Sequence, residues 1–204
     1  FLLEAMWTRF GPVARRVREL LADGAIGPEQ MLQCAFGFRC GWDPEGRLLN
    51  PAYAGGGLLD VGVYCVSYAR MVFGQAPAEI AGLAQIGATG VDEQASWVFK
   101  YDTGQLASLS AGVQTAMPHE AVIMGTDGMI RVPSFWRATS LLLNDAEEAI
   151  DVVGNGYNYE AQAVQNCVRA GALESDVLPL DESLEIMATL DRIRGQWGLR
   201  YPME

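Results

Sequence analysis

The sequence contains little positive charge: fourteen Lys and Arg residues stand against twenty-five Asp and Glu, and the formal net charge is −11. A field of that sign repels nucleic acid and anionic membranes, because both carry dense negative charge of their own. The one dense basic cluster, Arg15, Arg16 and Arg18, is short and fits the solvated face of a helix. We therefore expect no nucleic acid and no membrane as a partner.

Long apolar runs and metal-binding patterns are also scarce. No apolar segment reaches the span of about 18–20 residues that a transmembrane helix needs, and no signal-peptide pattern is present. The four cysteines include no CxxC pair and His119 is the only histidine, so we expect no metal site. Unpaired cysteines in apolar segments are typical of reduced thiols, which favours a cytoplasmic protein.

Motifs that bind nucleotide phosphates are absent as well. A dinucleotide fingerprint requires a strand, then GxGxxG, then a helix. The glycines at Gly55–Gly57 follow a loop and lack that spacing, and Gly154-Asn155-Gly156 lacks a third glycine. No Walker motif occurs either. We expect this chain to supply no phosphate loop of its own.

What the sequence does contain is enough apolar material for a sizeable core, since half of its residues are hydrophobic. Apolar patterning predicts strands over 1–7, 31–39, 78–86, 95–101, 105–113, 121–124, 129–132, 141–143 and 149–153, and helices over 12–24, 58–73, 159–170 and after Asp181. Short turns at 102–104 and 126–128 imply antiparallel neighbours. We predict an α+β fold: a single large open, mostly antiparallel sheet with helices on one face.

The predicted helix over 58–73 is apolar nearly all round, which is typical of a buried helix. Its polar exceptions Asp60, Tyr64 and Ser67 are spaced i, i+4 and i+7 and therefore share one face. A buried aspartate is costly unless it is paired, protonated or beside a wet cavity. Two interpretations stay open: Asp60 and Tyr64 are structural, or their face belongs to an active site.

The stretch Gly55–Tyr64, GGGLLDVGVY, resembles the signature of the Gfo/Idh/MocA oxidoreductases, which usually ends in Asp, Gly and His. Tyrosine in the histidine position is similar to the dihydrodiol dehydrogenase-like branch. Further similar stretches follow in order along the chain, at 4–12, 22–27, 125–133, 154–164 and 190–202. The resemblance implies two domains. An N-terminal Rossmann domain binds NAD or NADP and supplies a catalytic lysine from Glu-Lys-Pro, and a C-terminal α+β domain shapes the substrate pocket and forms dimers.

Under this resemblance the chain begins just after the position of Glu-Lys-Pro, and its only lysine, Lys100, lies in a strand pattern. The abrupt apolar start FLLEAMW also suggests a piece of a longer protein. We expect residues 1–24 to form a linking strand and helix after a missing Rossmann domain, and residues 25–204 to form a substrate-binding and dimerisation domain. We expect a homodimer through the open sheet face, with Trp97, Phe99 and Tyr101 as apolar contributors.

The resemblance also implies roles for individual residues. It places Asp60 and Tyr64 as catalytic groups that face the nicotinamide and the reacting carbinol. Trp7 and Arg9 match the segment that links the domains and are candidate cofactor contacts; the alternatives are hinge packing for Trp7 and a surface charge for Arg9.

Two aromatic residues, Phe36 and Trp136, are candidate walls of the substrate pocket, with plain core packing as the alternative. His119 is expected at a loop or strand end, without a catalytic role.

The expected function is that of the C-terminal part of an NAD(P)-dependent dehydrogenase acting on a small diol, sugar or polyol. The alternative is a non-catalytic binding or dimerisation module without a cofactor domain. On the first interpretation the isolated chain lacks activity and binds NAD(P) weakly or not at all.

Overall fold

The computed structural model covers residues 1–204, and eight strands form one sheet. In chain order the strands are β1 Glu29–Gly37, β2 Glu79–Ile86, β3 Asp92–Lys100, β4 Leu106–Gly112, β5 Ala121–Gly125, β6 Met129–Val132, β7 Ser140–Leu143 and β8 Ala146–Ala149. They lie in the order β2-β3-β4-β1-β5-β6-β7-β8. Only β1 and β4 pair in parallel, and all other neighbours are antiparallel. The predicted fold class is confirmed.

Four α-helices accompany the sheet: α1 Pro12–Ala22, α2 Val63–Phe73, α3 Tyr157–Arg169 and α4 Leu180–Gln196. Short 3₁₀ helices occupy Trp7–Arg9, Pro51–Tyr53 and Phe135–Arg137, and a π turn at Leu58–Gly62 leads directly into α2. The helix predicted over 58–73 is therefore present, but its first turn is wider than an α-helical turn. No helix is both long and apolar enough to cross a membrane.

The helices cover one face of the sheet. Helix α2 packs on β1 and β4, and α4 packs on β2 beside α2. At the other end of the sheet, Arg16 of α1 donates to Glu148 of β8 at 2.8 Å. Helix α3 contributes no buried residue.

The structure corrects the residues that we expected on the open face. Trp97, Phe99 and Tyr101 are almost fully buried under the helices, with Trp97 against Trp197 at 6.2 Å between ring centroids. Side chains alternate along β3, so its open-face positions are Ser96, Val98 and Lys100 instead. Sequence alternation revealed two faces but not which of them the helices cover.

Two predicted strands are also wrong. Residues 1–7, part of the linking strand expected within 1–24, form no strand, because they pair with no strand of the sheet; Leu2 N–H instead donates to Leu173 O at 3.0 Å. We predicted a strand over 149–153, but the strand in this region, β8, ends at Ala149. Asn144 and Asp145 both adopt positive φ, 49° and 66°, and form a two-residue turn, so β8 pairs with β7 immediately.

Candidate active site

Two of the three glycines before the π turn, Gly56 and Gly57, lie against the carboxylate of Asp92. Leu58 N–H, in the first turn of this helix, donates to Asp92 Oδ2 at 2.6 Å. Gly56 adopts φ +115°, and a Cβ there would lie 2.2 Å from Asp92 Oδ1. The space in front of this glycine turn is therefore filled by an internal side chain.

Asp60 and Tyr64 line one cleft of about 340 Å³, closed on the other side by α4 and by residues 4–6. Asp60 lies in the π turn and Tyr64 in the first turn of α2. Arg47, on the loop after β1, donates to Asp60 at 2.6 Å. The third polar residue of this face, Ser67, is buried and accepts a bond from Arg9 at 3.3 Å, so it belongs to the packing and not to the cleft.

The phenol of Tyr64 is half-buried. Burial is the largest effect on its pKa and raises it, the acidic side chains of Asp60 and Glu160 add to the rise, and Trp7 lowers it by hydrogen bonding. Within this chain Tyr64 is therefore a neutral phenol at neutral pH, able to donate a hydrogen bond into the cleft.

An aromatic cluster joins four of the predicted site residues. Phe36 stacks on Trp136 with ring centroids 5.4 Å apart, and meets Tyr64 edge-on at the same distance. Trp7 contacts Trp136 edge-on at 6.3 Å and Tyr157 at 4.5 Å. Trp7, Phe36, Tyr64 and Trp136 thus lie side by side. Phe36 itself is buried, as its core-packing interpretation required.

A second cleft of about 390 Å³ is also lined by members of this cluster. Its aromatic walls include Trp7, Trp136 and Tyr157. Gly156, at φ +97°, is needed here because a Cβ would lie 2.7 Å from Trp7 Cζ3. Trp7 therefore packs closely against Gly156 and also lines an open cleft.

Arg9 is not a surface charge. It is 4% exposed, and its guanidinium donates to Glu182 at 2.7 Å and to the carbonyl oxygen of Val177 at 3.2 Å. Burial lowers its pKa, and the Glu182 carboxylate opposes that effect. Arg9 therefore fastens the N-terminal segment to α4, and the structure does not bring it to either cleft.

Sequence reasoning missed two neighbours of the site. Tyr157 follows the glycine turn GNGY, whose special backbone was the available signal. Nothing in the sequence around Arg47 indicated a role, because only the folded path of its loop brings it to Asp60.

His119 lies just before β5, as expected, with φ +56°. Its Nε2 lies 2.6 Å from Gly37 O, and Trp136 Nε1 donates to its Nδ1 at 3.4 Å. His119 thereby supports the Trp136 ring of the aromatic cluster. The structure contains no group of three or more His, Cys, Asp or Glu side chains suited to a metal ion.

Comparison with known proteins gives concordant matches. The GFO/IDH/MocA C-terminal domain model matches residues 14–131. The chain is 36% identical to trans-1,2-dihydrobenzene-1,2-diol dehydrogenase of Mus musculus, with 100% of this chain aligned. It is also 36% identical to the enzyme of that name from Xenopus laevis, with 99% of this chain aligned. It spans 64% of the length of each of these relatives.

Solved structures show the same fold. Aldose-aldose oxidoreductase from Caulobacter crescentus, complexed with glycerol, has a TM-score of 0.82 at 21% identity, covering 93% of this chain and 59% of that one. KijD10, a 3-ketoreductase from Actinomadura kijaniata in complex with NADP and TDP-benzene, has a TM-score of 0.80 at 19% identity, covering 95% of this chain and 62% of that one.

Proposed function

The chain belongs to the GFO/IDH/MocA family, and on that premise we propose that it is the substrate-binding and dimerisation domain of an NAD(P)-dependent oxidoreductase. The proposed substrate class is a small diol, sugar or polyol that is oxidised at a CH–OH group. The observation that carries the proposal is the placement of Asp60 and Tyr64 in one cleft, next to the aromatic cluster of Trp7, Phe36 and Trp136. The relatives' name, a diol dehydrogenase, supports the substrate class.

The residues of this chain fit the nicotinamide end of the cofactor and not its phosphates. Trp7 and Trp136 offer flat apolar walls to a planar ring, whereas the glycine loop already holds Asp92. We propose that Trp7 contacts the nicotinamide and that the phosphates are bound by a part of the protein outside this chain. NADP in the KijD10 structure supports NADP or NAD as the cofactor. When bound, the nicotinamide supplies the hydride chemistry.

Tyr64 is proposed to hydrogen-bond the reacting oxygen of the substrate. Loss of hydride from a CH–OH carbon leaves the hydroxyl proton to be accepted by a protein group. A phenol accepts it only as phenolate, and burial together with Asp60 and Glu160 opposes ionisation of Tyr64. Lys100 does not offset this, since it forms an exposed pair with Glu79 on the β2–β3 side of the sheet. A cation from outside the chain, such as a lysine, would lower the pKa of Tyr64 and complete the proton acceptor.

The other predicted residues take supporting roles in this proposal. Asp60 binds a neighbouring substrate hydroxyl or orients the incoming cation, since its carboxylate lines the cleft. Trp136 lines the second cleft, beside the proposed nicotinamide site; we propose that it bounds the substrate on that side, with Phe36, which contacts both Trp136 and Tyr64, behind it. We assign Arg9 an indirect role, in which its ion pair with Glu182 holds the segment that carries Trp7.

Two surfaces support the proposed partners. Helix α3 buries none of its residues, and exposed apolar side chains at Tyr157, Val168 and Leu173 extend along and just beyond it. We propose that the cofactor-binding part of the protein covers this region. The open sheet face exposes Leu83 and Val98, and we propose that it pairs with a second copy of the chain.

The test compares the full-length protein with the 204-residue chain. The full-length protein should reduce NADP or NAD when supplied with a panel of vicinal diols, aldoses and polyols. The isolated chain should show no turnover, and calorimetry should detect no micromolar binding of NADP or NAD. Micromolar binding by the isolated chain would contradict this assignment, and a full-length protein that neither binds cofactor nor turns over would support a non-catalytic module.

A further inference from the structure

We propose that Asp92 is a positioning residue for the active-site helix: its buried carboxylate anchors the π turn that directs Asp60 into the cleft beside Tyr64. The inference rests on the function proposed for that cleft. It adds a residue that touches neither cleft and lies on β3, 34 positions along the chain from its partner Leu58.

The anchoring contact is short and closed to solvent. Asp92 is the first residue of β3 and is 0% exposed. Its Oδ2 accepts the N–H of Leu58 at 2.6 Å, while its Oδ1 has no hydrogen-bond partner. A carboxylate at a helix N-terminus satisfies peptide N–H groups that have no partner within the helix and interacts favourably with the helix dipole.

The glycines make this contact possible. A Cβ on Gly56 would lie 2.2 Å from Asp92 Oδ1, and one on Gly55 would lie 2.8 Å from the carbonyl oxygens of Arg47 and Leu48. The loop that carries Arg47, the start of the helix and the start of β3 therefore meet at a point with no room for side chains. At that point Asp92 joins the start of β3 to the start of the helix.

The π turn explains why such an anchor matters. A π turn holds one more residue than an α-helical turn and is uncommon. Each residue of an α-helix turns the chain by about 100°. Residues four apart share a face in either kind of helix, but relaxation of the Leu58–Gly62 turn towards α-helix would change the angle between Asp60 and Tyr64 about the helix axis and so shift the Asp60 carboxylate within the cleft. Asp92 restrains the end of the turn where such relaxation would start.

The surroundings of Asp92 set its protonation. Burial raises its pKa to about 7, against a smaller lowering by backbone hydrogen bonds from Leu58 and Gly57. Tyr201 faces the site from the C-terminal segment, and its hydroxyl donates to Gly55 O at 3.3 Å.

The remaining charges are more remote. Arg194 lies 5.7 Å from the centre of the Tyr201 ring and is paired with Glu204, and Glu93, next in β3, is only half-buried. Because no cation pairs with Asp92 directly, its charge and hence its hold on the Leu58 amide change near neutral pH.

The first experiment follows amide resonances by nuclear magnetic resonance. In the wild-type chain the amide signal of Leu58 should move with pH, with a midpoint near that pKa of about 7, and Tyr64 ring signals should move with it. In Asp92→Asn both movements should disappear. Asp102→Asn, an exposed aspartate in the turn after β3, is the matched control and should titrate as wild type. A Leu58 amide signal that neither moves with pH nor differs between the wild-type chain and Asp92→Asn overturns the proposal.

The second experiment uses the full-length enzyme. Asp92→Asn should lower kcat about tenfold, the scale of one charge-assisted hydrogen bond, and leave the cofactor KM unchanged, whereas Asp102→Asn should change neither. Unchanged kcat, or equal losses in kcat and cofactor affinity, would overturn a positioning role. If the wild-type enzyme has no dehydrogenase activity, the proposed function fails, and the Leu58 and Tyr64 signals still decide whether Asp92 anchors the turn.

Discussion

Arg47 and Asp60 form a 2.6 Å ion pair at the cleft that contains Tyr64. The Arg47 side chain is 67% exposed and that of Asp60 is 15% exposed. Exposed pairs contribute only about 0–1 kcal/mol to stability, so a substrate hydroxyl or an incoming lysine can replace Arg47 at little cost. In this chain the carboxylate of Asp60 therefore has a partner that is readily exchanged, which agrees with the binding role proposed for it.

Removal of the Tyr64 hydroxyl should affect chemistry and not folding. In the full-length enzyme, Tyr64→Phe should lower kcat by about 10²-fold, the contribution of an acid–base group, because the phenol lines an open cleft. Steady-state kinetics and calorimetric melting together measure this. Asp60→Asn should act in the same direction, and Tyr53→Phe, an exposed tyrosine, is the control. Normal turnover in Tyr64→Phe, or unfolding of both site variants, would show that the polar helix face with Asp60 and Tyr64 has a structural role only.

Loss of the Arg9 side chain should destabilise the chain strongly. Arg9→Gln leaves Glu182, whose side chain is 12% exposed, without its closest partner, and breaking a buried pair costs about 3–5 kcal/mol. The control is Arg16→Gln, which removes the more exposed pair with Glu148 and should cost no more than about 1 kcal/mol. Urea unfolding measures both free energies. Equal values for the two variants would show that the Arg9 pair does not anchor the N-terminal segment.

The open sheet face should mediate a homodimer. Val98→Glu places a charge on that face, at a position on β3 where the wild-type side chain is 43% exposed, and should convert the dimer to a monomer because charge burial in an interface is costly. Leu184→Glu, at an exposed position of α4, is the control. Sedimentation velocity at micromolar concentration measures the mass. A dimer that persists in Val98→Glu would show that the interface lies elsewhere. A wild-type monomer would show that the chain forms no such dimer.

The burial of Asp92 should appear in the pH dependence of stability. Its folded pKa is raised from 3.8 to about 7, so the folded chain retains a proton that the unfolded chain has already released. The free energy of unfolding should therefore fall as pH rises from about 4 to about 7. Asp92→Asn should remove that part of the slope, as measured by urea unfolding across this range. Parallel pH curves for wild type and Asp92→Asn would contradict the raised pKa.

Features that depend on neighbouring residues could be predicted from the sequence alone. Pro12 at the start of α1 and the buried positions Val13 and Val17 follow from helical spacing, because both capping and periodicity act within a few residues. The β3–β4 and β5–β6 hairpins follow from turns at 102–104 and 126–128. The shared face of Asp60 and Tyr64 also follows from local spacing, and the structure places both in one cleft.

Features that depend on distant partners were decided only by the tertiary structure. Residues 1–7 have the apolar pattern of a strand but pair with no strand of the sheet. Trp97 is buried because α2 and α4 cover its face, and nothing within β3 indicates which face that is. The bonds from Arg9 to Glu182 and from Leu58 to Asp92 join positions 173 and 34 residues apart. Sequence spacing carries no information about such contacts, since the path of the folded chain alone determines which buried charges meet.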